Sequence, residues 1–258
     1  MTDLEAIAAS LLNVYETKRT LAPLTGTYDG LTLDDAYGIQ QIQVRRRVDD
    51  GASVVGFKVG LTSAAMRQQL GIHEPDYGHL LSDMVYPADA PIPIERFLQP
   101  RAEPEVALVL GRALRGPGLS VADIASATAY AVPAIEIIDS RITGWRIGLI
   151  DTIADNASSG GLVLGGTRTA LDRLDLALIG CAFSHNGRIR ETGTGAAVLG
   201  SPLIAATWLA NTLTARGADL AADSIILTGA LTAAVALDAG DSVSATLDHL
   251  GAVTAVFA

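Results

Sequence analysis

Two apolar runs in this chain carry glutamates where a buried strand should carry none. The first, "PRAEPEVALVL" at residues 100–110, ends in Val106, Ala107, Leu108, Val109 and Leu110, the texture of a buried strand. Glu103 and Glu105 stand at its mouth. Their spacing of two puts both side chains on one face of a strand. The second run, "VPAIEII" at 132–138, sets Glu136 between Ile135 and Ile137. A carboxylate taken out of water without a partner is costly, and two side by side repel. A fold must turn these acids out to solvent or bring them to a cation. A lone Glu at a strand end commonly faces solvent. An E-x-E pair with a third acid on another aliphatic strand favours the cation. Oxygen ligands with no His or Cys nearby suit Mg²⁺ or Mn²⁺ rather than Zn²⁺.

The rest of the composition narrows the class. With 258 residues, 49% hydrophobic and 18% charged, the chain is long and apolar enough for a sizeable core. Aromatics make up only 5%, so that core is mainly Ala, Val, Leu and Ile. The net charge is −10 and the one basic cluster, Arg45 to Arg47, falls in a helical stretch, which excludes a nucleic-acid footprint. The single cysteine, Cys181, rules out an intrachain disulfide and reads as a core residue in "LALIGCAF". The acidic, amphipathic start "MTDLEAIAASLLNVYE" is not a signal peptide, and we expect no apolar run able to span a bilayer. A soluble, cytoplasmic protein without a membrane partner is expected.

Local patterns suggest an α+β chain: a small helical N-terminal part (1–75, with one strand) and a β-rich catalytic body (76–258). Helices are expected over 3–18 and 32–48, the second opened by a Thr32/Asp35 capping box. A strand follows at 53–62, then a short helix at 62–71 and a loop at 72–84 punctuated by Pro75 and Gly78. Ser120 and Asp123 open a helix to about Tyr130, after which "YAVPAIEIIDS" reads as a strand. Asn186-Gly187 marks a hairpin. Ser201, Pro202 and Gly217 bound another helix. None of His73, His79, His185 and His249 has ligand spacing or a nucleophilic partner, and none is assigned a role.

Lysine usage is the second chemical clue. Of 18 basic residues only Lys18 and Lys58 are lysines, and Lys58 lies in the apolar "VVGFKVGL". An ammonium kept there can bind a carboxylate or move a proton, although a strand-end Lys can also lay its stem on apolar surface. Asp76 in "EPDYG" is compatible with ordinary turn chemistry. The polar, Gly-rich "DTIADNASSGG", 151–161, with Asp155, Asn156, Ser158 and Ser159, suits either an anion cradle or a solvated bend.

Taken together, "GFKVGLTS", "EPDYGHLLSDM", "PRAEPEVALVLGRALRGPG", "PAIEIIDSRITGWRI" and "DTIADNASSGG" resemble the 2-oxopent-4-enoate hydratase family of the fumarylacetoacetase-like superfamily, from about residue 30 to the C-terminus. The resemblance implies a mixed β-roll/barrel body of the fumarylacetoacetase C-terminal type and a homo-oligomer, with assembly alongside other meta-cleavage enzymes. It implies Mg²⁺ or Mn²⁺ held by Glu103, Glu105 and Glu136. Lys58 and Asp76 take catalytic positions, and Ser158 and Thr232 match substrate-side positions more loosely. The implied reaction is hydration of 2-hydroxypenta-2,4-dienoate to 4-hydroxy-2-oxopentanoate in meta-cleavage catabolism of aromatic or steroid rings. Alternatives are the sister 4-oxalocrotonate decarboxylase, a hydratase for a longer 2-oxo-dienoate, and a silent structural subunit. In decarboxylases resembling this chain, an apolar residue stands at the position of Asp76.

Overall fold

Caps set the N-terminal helices. The Asp3 carboxylate accepts the Ala6 N–H and starts α1 (Leu4–Thr17). Thr32 and Asp35 form the expected capping box of α2 (Leu33–Asp49). Ile7, Ala8 and Leu11 of α1 and Ala36, Tyr37 and Ile39 of α2 are buried in one cluster. This is a computed structural model, and it describes residues 3–63 and 74–258. The helix expected at 62–71 lies largely outside the described residues.

The body is a mixed eight-stranded sheet ordered β2-β1-β9-β4-β5-β6-β3, with β10 pairing β4 off that path. Its strands are β1 (Val54–Gly60), β2 (Asp76–Leu81), β3 (Val85–Tyr86), β4 (Arg101–Leu110), β5 (Thr128–Ile138), β6 (Ser159–Leu164), β9 (Ile225–Ala230) and β10 (Val235–Ala236). A second, four-stranded sheet, β12-β11-β7-β8, comprises β7 (Gly180–His185), β8 (Arg188–Thr194), β11 (Ser242–Leu247) and β12 (Gly251–Val256). Short helices α3 (Val121–Ala127) and α4 (Leu149–Ala154) and the longer α5 (Pro202–Ala215) complete it. The β-branched and aliphatic runs of β4 and β5 pair antiparallel along their length. The α+β architecture expected from the sequence is what is found, and the main sheet draws strands from both sides of residue 75.

Asn186 (φ 51°) and Gly187 (φ 74°) make the β7–β8 hairpin turn, both left-handed as such a turn requires. Ser201 caps α5 with Pro202 at its first position. Three expectations need correction. Asp76 does not lie in a loop: "DYGHLL" is β2, paired along β1 and buried at every position but His79. The helix opened by Ser120 stops at Ala127, where β5 takes over the chain for sheet pairing. The segment Gly195–Ala215 does have the length and apolarity to cross a bilayer. Its backbone breaks at Leu199 (φ 50°) and Gly200 (φ 90°), and α5 buries Ala205, Ala206, Leu209 and Leu213 in the core.

Candidate metal and active site

Strand register assembles the acids. Glu103 of β4 stands directly opposite Glu136 of β5, and directly opposed residues of an antiparallel pair share a face. Glu105, two residues on, is flanked across the ladder by Ala134 and Ala230, small neighbours that leave its carboxylate room. The ligand atoms of Glu103, Glu105 and Glu136 all lie within 4.8 Å of one another. Glu105 and Glu136 are buried and Glu103 half-buried. Beside them on the same face Leu80, Ala107, Val132, Ala134, Leu162 and Leu227 belong to a small apolar cluster, separate from the main core.

Lys58 reaches the cluster from β1. It is 4% exposed, and its Nζ lies 3.4 Å from Glu136 Oε1, an ion-pair distance. Burial alone would pull its ammonium down in pKa. The surrounding carboxylates of Glu136, Asp76, Glu103 and Glu105 outweigh that and hold it above its ordinary value. Asp76 enters from β2 opposite Gly60. A Cβ on Gly60 would meet Asp76 Oδ1 at 2.1 Å and Lys58 Nζ at 3.3 Å, so both groups converge over a glycine. Burial raises the Asp76 carboxyl, the Lys58 charge lowers it, and the net is upward.

These acids are poorly satisfied within the chain. Glu105 Oε2 accepts the Gly229 N–H at 2.7 Å, but Glu105 Oε1, both Glu136 oxygens and Asp76 Oδ1 are buried without a hydrogen bond. Loss of water, then the facing Glu136, pushes the Glu103 carboxyl up to about 7. The same two causes raise Glu105 well above its usual range. Buried native carboxylates are almost always paired. Three carboxylates converging on one point, Glu105 and Glu136 with unsatisfied oxygens, fit a hard divalent cation, whose charge would draw the raised Glu103 and Glu105 carboxyls down.

Two residues expected on the substrate side are engaged elsewhere in the chain. The 151–161 stretch is not an open polar bend. It is α4, then a turn in which Asn156, Ala157 and Ser158 are all left-handed (φ 52°, 52° and 53°), then β6. Ser158 is buried with its hydroxyl 3.3 Å from Thr152 Oγ1. Asp155 is taken up by Arg141, which also donates to the Asp155 and Ser159 carbonyls. The Thr232 hydroxyl donates to the Ala233 carbonyl, although its backbone runs past the acid pair: the adjoining Leu231 N–H bonds the Pro104 carbonyl.

Several participants were not foreseen from sequence. Gly229, with φ 119°, aims its N–H at Glu105 in a conformation suited to glycine. Gln40 and Gln43 of α2 donate to the Ile153 and Ala154 carbonyls at the end of α4, and Gln40 also donates to the Tyr77 carbonyl. With its amide nitrogen so committed, Gln40 Oε1 accepts from His79 Nδ1 at 3.0 Å, which fixes the imidazole tautomer. Asn156 pairs its amide with both the N–H and the carbonyl of His79 along β2.

The chain belongs to the fumarylacetoacetate (FAA) hydrolase C-terminal family, whose family model matches residues 56–258. It is 43% identical over 253 residues to a 2-keto-4-pentenoate hydratase of Paraburkholderia xenovorans (strain LB400), covering 98% of this chain and 94% of that protein. It is 44% identical over 252 residues to a 2-keto-4-pentenoate hydratase of Burkholderia vietnamiensis (strain G4 / LMG 22486), covering 98% and 96%. Among solved structures it resembles 4-oxalocrotonate decarboxylase from Pseudomonas putida G7, complexed with magnesium and adipate. That match has a TM-score of 0.95 at 35% identity, over 99% of this chain and 97% of the other.

Proposed function

We propose that this chain is a divalent-metal-dependent hydratase that converts 2-hydroxypenta-2,4-dienoate, the enol of 2-keto-4-pentenoate, to 4-hydroxy-2-oxopentanoate. The observation that carries the reading is the cluster of unsatisfied buried carboxylates beside a buried ammonium and a bare Asp76 oxygen. Relatives named 2-keto-4-pentenoate hydratase and a relative named TodF product hydratase support the substrate class and a place in aromatic-ring catabolism.

Glu103, Glu105 and Glu136 would hold Mg²⁺ or Mn²⁺, which supplies Lewis-acid polarisation of a 2-oxo acid. Lys58, kept charged by its carboxylate neighbours, faces negative charge developing on the substrate's 2-oxygen and holds its anionic end. Beside Glu136 it serves as an electrostatic anchor. Asp76 Oδ1 is free to accept a proton from water attacking carbon 4. The 2-hydroxyl loses its proton and carbon 5 gains one, giving the conjugated 2-oxo-3-enoate; water then adds with hydroxyl on carbon 4 and hydrogen on carbon 3, a net gain of one water. Leu80, Leu162 and Leu227, on the same face of the sheet as the acids, wall the site with apolar side chains that limit bulk water.

The likeness in fold to the Pseudomonas putida G7 decarboxylase supports a second reading, decarboxylation, which needs the same acids and lysine. Asp76 favours hydration, since an apolar wall there would keep water off the dienolate. The test is the purified protein with Mg²⁺ or Mn²⁺ and 2-hydroxypenta-2,4-dienoate, products identified by mass. A product heavier by one water is expected, and Asp76→Ala or Asp76→Ile should slow it by about a hundredfold. Faster release of carbon dioxide from 4-oxalocrotonate than hydration of the dienoate would replace this reading with the second.

A further inference from the structure

We propose that Arg101, stacked on Trp145, binds the carboxylate of the 2-oxo acid at the end of the acid row opposite Lys58 and Asp76. The inference rests on the hydratase reading and deepens it by assigning the substrate's anionic head. Arg101 precedes Glu103 by two residues on β4, so their side chains share a face. Its ladder partner Ile138 stands two residues from Glu136, with no register shift between them.

Arg101 differs from the other arginines in what it touches. Among arginines whose side chains are described, Arg46, Arg47, Arg141 and Arg216 are also at least partly buried. Each of them is paired with a carboxylate, of Glu5, Asp83, Asp155 and Asp34 in turn. The Arg101 guanidinium has neither an ion pair nor a hydrogen bond among the described residues. What it has is a ring: its central carbon lies 4.6 Å from the centroid of Trp145. Stacking occupies the face of a guanidinium and leaves its N–H edge free to donate.

The indole is held there against its backbone preference. Gly144 and Trp145 are both left-handed, at φ 62° and 57°, a region unfavourable to a bulky side chain. Such a conformation persists where its surroundings over-determine it. Here Gln99 does so. Its side-chain oxygen accepts the Gly144 N–H at 2.7 Å, and its backbone carbonyl accepts the indole N–H at 3.1 Å. Its amide nitrogen donates to the Ser140 and Ile142 carbonyls at 2.9 and 2.8 Å. Gln99 lies two residues before Arg101, so the loop is tied to the chain that carries the arginine.

Strand levels decide which end of a substrate Arg101 meets. Lys58 is level with Leu227, and Leu227 with Ala107, four residues past Glu103. Asp76 Oδ1 and the Lys58 ammonium converge over Gly60. Arg101 lies on the other side of Glu103. An extended 2-oxo acid seated over the acids with carbon 4 beside Asp76 therefore turns its carboxylate toward Arg101. Lys58 then faces the 2-oxygen side of that carboxylate and Arg101 its outer side, where the guanidinium edge donates. A second carboxylate beyond carbon 4 would fall at the Asp76 end, away from Arg101.

The test uses the Mg²⁺-loaded full chain and 2-oxopentanoate, a saturated 2-oxo acid that cannot be hydrated, with binding read by calorimetry. Arg101→Leu should weaken its binding by about tenfold or more, because a charge-assisted hydrogen bond is lost. KM for the dienoate should rise by a like factor with kcat within about threefold, the mark of an interaction made equally in ground and transition states. 2-Oxopentanamide, which lacks the negative charge, should bind wild type and Arg101→Leu within about twofold of each other. Mg²⁺ affinity should hold or rise, since a cation beside the acids has gone. Trp145→Leu should weaken 2-oxopentanoate binding by about threefold through loss of the stack. Should Arg101→Leu fail to fold, Arg101→Lys decides on the same terms, with a loss of about threefold for the acid and none for the amide. An equal loss for the amide, or a fall in Mg²⁺ affinity, would make Arg101 a structural member of the acid row and overturn the proposal. A loss confined to 2-oxohexanedioate would move Arg101 to the far end of the substrate and overturn it as well. Both leave the hydratase reading intact. A wild-type chain that binds 2-oxopentanoate through Arg101 but does not hydrate the dienoate removes the hydratase reading and keeps the carboxylate site.

Discussion

Substituting Gly60 by alanine places one methyl group where Asp76 and Lys58 converge. The new Cβ would lie 2.1 Å from Asp76 Oδ1, against the 3.0 Å below which real Cβ contacts are essentially never seen. The oxygen must give way by about 1 Å, and a misplacement of that size at a reacting group costs about a hundredfold in rate. Lys58 Nζ, at 3.3 Å, needs to move only slightly. Overpacking of this kind costs about 1–3 kcal/mol of stability, and the ejected atom ends a short side chain, so the lower figure applies. Glu103, Glu105 and Glu136 lie on other strands and are untouched. Gly60→Ala should therefore hydrate about a hundredfold more slowly, bind Mg²⁺ as wild type does, and unfold at nearly the same denaturant concentration. The assay follows loss of the dienoate's ultraviolet absorbance under saturating Mg²⁺, with calorimetry for the metal. Turnover within about threefold of wild type would refute the placement of Asp76 at the reaction. Mg²⁺ affinity falling in step with turnover would mean that Gly60 serves the cation instead.

Excess chelator should abolish turnover, and Glu136→Gln should weaken Mg²⁺ binding by about tenfold or more as measured by calorimetry. Lys58→Ala should cut turnover by about a hundredfold and, by stranding the buried Glu136 carboxylate, lower the urea midpoint in the absence of divalent metal, with Mg²⁺ restoring part of it; circular dichroism and kinetics check both halves. Arg141→Met strands the buried Asp155 carboxylate and should cost about 3–5 kcal/mol, seen as a lower urea midpoint. Burial holds the His79 imidazole down to about 4 from its ordinary 6.5. Its folded pKa lies below the unfolded one, so the folded state binds fewer protons between those values. The resulting stability, at most about 3 kcal/mol, is complete above pH 6.5 and is lost as pH falls toward 4. Urea titrations of wild type and His79→Gln across that window should differ in slope, with the variant flatter.

The parts legible in sequence were those whose signals are local or chemically incongruous. Thr32 with Asp35, and Ser120 with Asp123, announced helix starts because a capping box is complete within four residues. Glu103, Glu105, Glu136 and Lys58 stood out because charge in an aliphatic run needs a reason. "DYGHLL" was misread because Pro75 and Gly78 look like loop punctuation. Gly78 is instead a strand residue that lets the Asn156 carbonyl approach. Gly229 gave no signal at all: a glycine in a strand is ordinary until the fold sets a carboxylate beside it. The membrane criterion failed the other way, since α5 has a core helix's composition and only packing against the sheet reveals it.

The bond from the Gly229 N–H to Glu105 joins residues 124 apart, and β9, which carries Gly229, lies between β1 and β4. Lys58 and Glu105 are thus spaced by a strand that leaves the ribosome long after both. Until Ile225–Ala230 has emerged, with only about a tenth of the chain left to follow, the position between β1 and β4 is empty and Lys58 is not held beside the acids. Contacts this distant in sequence form late, because the loop entropy must be met before they return anything. Cation affinity is therefore a property of the finished chain. Fragments ending before Ile225 should bind Mg²⁺ no better than unstructured acidic peptides.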